Sequence, residues 1–366
     1  MDVTGLGILV VGIIAALFFG AQAQRHRDKF RSTGIKKFRS NAIFFMTVSC
    51  LCMWLPAALR HDVGVDNASY EMQYELIKTI PDAVSYFEPG FGLLCLLCKT
   101  LFNDYQGVIF VVSMLTGCFL WLSIYKYSHN IVLCILGVIA ANYYFMSFTV
   151  IRQFLAMAIL TTSIQSIENR NLLKFVLIWL LAISFHYTAI AFGVVYLVYS
   201  KEEKLITFKN TAFFSGLIVF FLMMDYWLGD IISTMSMFRE GYASYQDSDV
   251  TKSYIELVAL VPIVLYAFLF RNNLAQLSRF NRVFFIFIIM LVVTKVIGIM
   301  SPVFSRVHYY FIIAGAFLFS YAPRLKYGKS FNILIVIAIL IYYAWSIHNI
   351  FEYQSDDFLP FKTILQ

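Results

Sequence analysis

Residues 42–75 read AIFFMTVSCLCMWLPAALRHDVGVDNASYEMQYE, and the first 18 of them, to Leu59, carry no charge at all. A helix rises about 1.5 Å per residue, so a run of roughly this length reaches across the hydrocarbon of a bilayer. It predicts a membrane span. The run then stops on an arginine, a histidine and four acids within the next 16 residues. Why a chain this apolar crowds ionisable groups at a membrane edge is the question that any account of its function has to answer.

The rest of the chain repeats the first half of that pattern. Its 366 residues are 60% apolar, 18% aromatic and only 13% charged, with a mean hydropathy of +0.76. A soluble globule of this size needs more polar surface than that. Apolar runs near span length recur throughout, and none alternates as the strands of a membrane barrel do. The fold class predicted is all-α, one polytopic transmembrane domain over residues 1–366. The net charge of +7 comes largely from basic residues gathered in particular loops, which is a topology signal and no argument for nucleic acid. The six cysteines all lie in apolar runs, so CLLC at 95–98 reads as helix packing. There is no HExxH pair and no phosphate-cradling glycine loop, so neither zinc nor ATP chemistry is called for, and no cofactor or metal is expected.

Charge placement sets the path. The span from about Thr4 to Gly20 is followed by AQAQRHRDKFRSTGIKKFRS, with seven lysines and arginines, while MDVTG before it has none. That order reverses a cleavable signal and predicts an uncleaved anchor with its N-terminus outside. Interior loops are then expected near 21–40, 125, 168–174, 201–209, 271–282 and 323–329. Residues 60–106 form the first outer loop and 229–252 the second. The path closes only if residues 90–102, GFGLLCLLCKTLF, do not cross, and 13 residues containing Lys99 are short for a span. A re-entrant or interfacial helix is expected there, leaving about twelve crossings. Residues 172–200 read as two short helices meeting at His186, or as one long tilted helix.

This topology delivers Arg60, His61, Asp62, Asp66, Glu88, Arg152, His186, Arg239, Arg306 and His308 to the outer side. Either Arg152 or Arg306 alone can snorkel to headgroups. Two arginines at outer helix ends, with Arg60 on the same side, point to a shared polar cavity. Guanidinium forks suit phosphate or diphosphate oxygens and do not lose their proton. His186 reads either as a cap at a tight turn or as a catalytic imidazole. Outer tyrosines such as Tyr70 read as sugar-stacking rings or as part of an interfacial belt. Lys295 and Glu256 lie within spans and can pair with neighbours.

Taken in order, RHDVGVD, FEPGF, IRQFLAMAI, KFVLIWLLAISFHYTAI, FSRVHYYF and the tail FLPFK resemble the EpsG-like family of bacterial polysaccharide polymerases, grouped functionally with Wzy-type enzymes. The likeness spans about 58–362. It implies a GT-C-like membrane glycosyltransferase of the bacterial cytoplasmic (inner) membrane, with its site facing outward. Such an enzyme joins oligosaccharide repeat units carried on undecaprenyl diphosphate into a capsule, O-antigen or exopolysaccharide. Carried onto this chain, the resemblance marks Arg60, Gly64, Asp66, Glu88, Pro89, Arg152, Gln153, His186, Arg306 and Tyr310. Diphosphate binding falls to Arg152 and Arg306 with Arg60 assisting. Asp66 is the first choice of base, ahead of Asp62, His186 and Glu88. Gln153, Tyr310, Tyr70 and Arg239 are expected to hold substrate. A chain-length regulator and a flippase are companions by the same resemblance. Two other readings stay open: a lipid-linked oligosaccharide transporter, and a membrane acyltransferase acting on the polysaccharide.

Overall fold

The computed structural model describes residues 4–201, 260–300, 304–325 and 361–364, with single positions at 216, 257, 337, 341, 344 and 348. Among these residues every regular element is helical; the one extended pairing is an isolated bridge between Arg60 and Thr363. Four helices are each long and apolar enough to cross a membrane, lying within Gly7–Thr33, Lys36–Ala58, Tyr105–Tyr127 and Phe280–Ile299. Two further helices, joined at a 48° bend, make a fifth candidate. The described residues thus hold four or five candidate spans against the twelve crossings expected. Residues 202–215 and 326–336, which take in parts of two expected interior loops and the starts of the crossings after them, lie outside the described residues.

Helix α1 (Thr4–Thr33) turns at Gly34, whose φ of +70° suits a residue without a side chain, into α2 (Lys36–Ala58). The two pack closely because Gly12 leaves no room for more: a Cβ there would stand 2.5 Å from the Cys52 carbonyl oxygen. Ser49 adds a hydrogen bond to the Ala16 carbonyl at 2.7 Å. Three short helices follow, α3 (Asn67–Leu76), α4 (Ile80–Tyr86) and α5 (Pro89–Phe102). Helix α4 starts on a capping box, with Thr79 and Asp82 satisfying each other's backbone amides. Next comes α6 (Tyr105–Tyr127), capped by the Asp104 side chain, and then α7 (Ile131–Ala140) and α8 (Tyr143–Thr149), the bent pair. Asn142, at φ +58°, makes the bend.

Helices α9 (Ile151–Thr161), α10 (Ile164–Asn169) and α11 (Leu172–Phe185) continue the chain. Helix α11 ends at His186, and a 3-10 turn (Tyr187–Phe192) leads back along it into α12 (Gly193–Val198), where the Trp179 indole donates to the Ala189 carbonyl at 2.9 Å. The remaining described helices are α13 (Val261–Leu269), α14 (Arg271–Leu277), α15 (Phe280–Met300) and α16 (Tyr309–Phe319).

Contacts sort the chain into two ends. At one, Arg27 donates to the carbonyls of Tyr125 and His129, Arg324 donates to His129, and Arg279 pairs with Glu168. These groups come from the loops expected to face the interior. At the other end Arg60 bridges to Thr363, Gln106 donates to the Arg60 carbonyl, and Glu88 meets Arg152 and His186. Both ends of α5 sit at this second end. Gly90 lies against Ser184, and the Lys99 ammonium donates to the Tyr74 carbonyl at 3.0 Å. Between the ends the packing is aromatic: Trp54 meets Trp121 and Tyr144 edge-on, and the Tyr144 hydroxyl donates to the Met53 carbonyl. Large apolar side chains such as Val11, Leu173 and Leu269 point outward, as they must where the surroundings are lipid.

Candidate functional site

The loop after α2 is shaped by its backbone. Gly64 has φ +112°, and a Cβ on it would lie 2.4 Å from the Phe148 carbonyl oxygen, so no other residue fits. Asp62 also takes a left-handed conformation at φ +53° and remains exposed. The turn hands the chain to α3 with Asp66 just before its first residue and Tyr70 buried on its inner side.

Glu88 precedes Pro89, and the proline ring keeps its backbone extended (φ −59°, ψ 145°). Its side chain does not cap α5. It reaches instead to two other elements. Oε2 accepts from Arg152 Nη1 at 2.5 Å and Oε1 meets His186 Nδ1 at 2.9 Å, with the Tyr187 amide at 3.4 Å. Arg152 is available because α9 begins one residue earlier, after the break at Val150. His186 is available because α11 ends there in an extended residue.

The Arg152 guanidinium lies over three rings, Tyr70 at 5.0 Å, Phe87 at 5.3 Å and Phe91 at 5.8 Å. Each face-on contact stabilises a cation, more so where water is excluded. Its Nε is buried with no hydrogen-bond partner among the described residues, and so is Gln153 Oε1. The Gln153 amide donates to the Arg306 carbonyl at 2.7 Å, which ties the start of α9 to the turn before α16. Arg306 reaches Asp66 at 3.8 Å, a loose pair between two partly exposed side chains. Tyr70 stands within the field of Arg152, Asp66 and Arg306, so the two ion pairs are neighbours.

The electrostatics follow from this arrangement. Burial pushes the Glu88 carboxyl pKa up, but the His186 hydrogen bond and the charge of Arg152 outweigh it and hold the group down at about 2. The Tyr70 hydroxyl is held above its ordinary value by burial, with Arg152 opposing.

The structure therefore brings together Glu88, Arg152, His186, Tyr70, Gln153, Arg306 and Asp66. Tyr310 joins them from below: its hydroxyl shares a 3.0 Å hydrogen bond with Thr188, two residues beyond His186. Arg60 stands apart. It is buried, and its donors go to the Ala57 carbonyl at 2.6 Å, Ser113 Oγ at 2.7 Å and the Phe148 carbonyl at 3.4 Å, with the guanidinium over the Phe148 ring. Asp62 points away to solvent. His61 pairs through its backbone with Lys362, and His308 is buried against the Ser305 carbonyl. Arg239 and Glu256 lie outside the described residues.

Sequence reasoning placed Glu88 last among candidate bases, whereas the geometry makes it the hub joining a cation and an imidazole. The rings of Phe87 and Phe91 were not singled out. Their signal was present in FEPGF, two aromatics spaced around an acid whose backbone a proline fixes.

Comparison with known proteins adds one match. No curated protein and no solved structure matches the chain. The profile of the EpsG family matches residues 43–363, from α2 through the described tail, and so takes in every residue of this cluster. With nearly its whole length matched, the chain belongs to the EpsG family, which points to a membrane polymerase of polysaccharide biosynthesis.

Proposed function

We propose that this chain polymerises oligosaccharide units carried on a polyprenyl diphosphate, at the outer face of the bacterial cytoplasmic membrane. The observation that carries the reading is the meeting of Glu88, Arg152 and His186, from three separated parts of the sequence, beside the Arg306–Asp66 pair.

Each group then has a role. The donor's diphosphate sits against Arg152, whose Nε is still free to donate, and against Arg306, whose hold on Asp66 is weak enough to yield to a phosphoryl oxygen. Fixed cations stabilise charge that develops as the diphosphate leaves. Glu88 accepts the Nδ1 proton of His186, which leaves Nε2 with its lone pair toward the acceptor sugar. Nε2 takes the hydroxyl proton, the sugar oxygen forms a bond to the anomeric carbon, and the bond from that carbon to the diphosphate breaks. The electron pair departs with the polyprenyl diphosphate. Asp66, beside Arg306, is the second candidate for the proton. Tyr70 and Gln153 border the same space. Arg60 supports it indirectly by fixing the end of α2 against Phe148.

The test is incubation of the purified protein with defined lipid-linked repeat units. A ladder of lengthened products is expected from the wild type, and none from Arg152→Ala, with the single units left unreacted. Movement of the units across a vesicle membrane without any lengthening would assign a transporter instead.

A further inference from the structure

The opposite end of the molecule carries a second collection of charge. Lys126 closes the last turn of α6, Lys174 lies in the first turn of α11, and Arg279 directly precedes α15. Lys174 and Arg279 are the two cations whose charge acts on Lys126. One carboxylate answers them among the described residues: Glu168, mostly buried, pairs with Arg279 at 3.3 Å. Lys126 donates only to the neutral Gln165 amide, and the Lys174 ammonium makes no hydrogen bond or ion pair among the described residues.

Three other cations near them are committed. Arg27 is buried on two backbone carbonyls, Arg170 closes the end of α12 by donating to Tyr196 and Tyr199, and Arg282 donates to the Lys201 carbonyl. Lys126, Lys174 and Arg279 are exposed, and of the three only Arg279 has a carboxylate partner among the described residues. Like charges held this close repel each other, so an anion that joins them is favoured twice, by attraction and by relief of that repulsion.

What lies beside them selects the kind of anion. Leu122, one turn before Lys126 on the same face of α6, is 62% exposed, and Leu177, one turn after Lys174 on α11, is 61% exposed. Each lysine is thus followed, toward the middle of the span, by an outward leucine on its own helix face. A free phosphate uses the cations and ignores the leucines. A lipid uses both.

We infer that Lys126, Lys174 and Arg279 bind the headgroup phosphate of an anionic glycerophospholipid, with its acyl chains laid on the outward leucines of α6 and α11. The site lies at the end of the bundle opposite Glu88 and does not depend on the reaction assigned there. It seats a lipid of the inner leaflet between two helices that flank α9, the helix that carries Arg152.

Native mass spectrometry of the detergent-purified chain tests this with phosphatidylglycerol and phosphatidylcholine of identical acyl chains. The wild type is expected to retain phosphatidylglycerol in clear preference. Lys126→Gln or Lys174→Gln should each weaken that preference about fivefold, and the pair on the order of twentyfold, since one cation at an anionic surface contributes about that much. Lys126→Arg with Lys174→Arg should keep it, and so should Lys29→Gln, which removes a cation at the same end of the molecule. Equal retention of the two lipids by the wild type, or an undiminished preference in the glutamine variants, overturns the proposal. Displacement of phosphatidylglycerol by millimolar inorganic phosphate also overturns it, because the ligand is then a soluble anion.

Discussion

Glu88 accepts from a guanidinium through one oxygen and meets an imidazole through the other, and that shared use makes its charge the quantity to perturb. Glu88→Gln keeps the shape and removes the charge, so Arg152 loses its counter-ion inside a ring of aromatics, and the one amide oxygen that remains serves either Arg152 or His186 and no longer both. Polymer synthesis is expected to fall by 100-fold or more, the scale of losing one preorganised electrostatic contact. Breaking a pair this buried also costs about 3 kcal/mol of stability, readable as a lower unfolding temperature in detergent. Combining it with His186→Gln should add little, because the two act as one unit.

The pH dependence has a definite sign. A carboxylate held at about 2 in the folded chain, against 4.5 for an ordinary glutamate, gives stabilisation that is complete above 4.5 and lost as pH falls toward 2. Thermal unfolding followed from pH 7 to pH 3 should show a decline below pH 4.5 that Glu88→Gln reduces.

At this scale the sequence led to the expectation that these charged groups share one side, but it could not say which of them would touch. Arg60 shows why. Its partners are backbone carbonyls and a serine, which no motif announces, and it looked from the sequence as free as Arg152.

Among the elements, all-helical character was legible from hydropathy alone, since backbone groups in lipid must be satisfied within the segment. The breaks were not. The apolar run from Ile131 to Val150 reads as one crossing, yet it bends at Asn142, where a left-handed residue ends one helix and starts the next. Only the fold around it says that Asn142 and not a neighbour takes that conformation.

Two predictions belong to elements. Cys50 on α2 and Cys118 on α6 lie side by side, so with the other four cysteines replaced, oxidation should join them and shift the chain on a non-reducing gel. Failure to cross-link would mean a different register for that helix pair. Gly64→Ala places a methyl group against the Phe148 carbonyl at a φ that alanine tolerates poorly, at a cost on the order of 1–3 kcal/mol. It should lower both stability and activity, since the same loop sets Asp66 and Tyr70. Ala68→Gly, on an exposed turn of α3, should do far less.

For the molecule as a whole, the two ends differ in what they do with their cations: one gathers them around acids, an imidazole and rings, the other turns several outward beside lipid-facing leucines. Their sidedness can be read directly. A cysteine at Ser69, introduced into a cysteine-free chain, should react with a membrane-impermeant maleimide added to intact cells, and one at Ser32 should react only after lysis. The opposite pattern would place the Glu88 cluster inside and remove the outer-face assignment.

The pairing of residues 361–364 with the strip from Leu59 to His61 has a consequence for biosynthesis. The Ile364 amide donates to the Leu59 carbonyl and the His61 amide to that of Lys362, so the loop leading to Asp66 is braced by residues that leave the ribosome some 300 positions later. A nascent chain can insert its helices one after another and still hold an unbraced loop until translation has passed that point. Premature termination or proteolysis near the tail would then leave a protein that is integrated and abundant yet silent, and cellular surveillance that recognises only misinserted helices would overlook it.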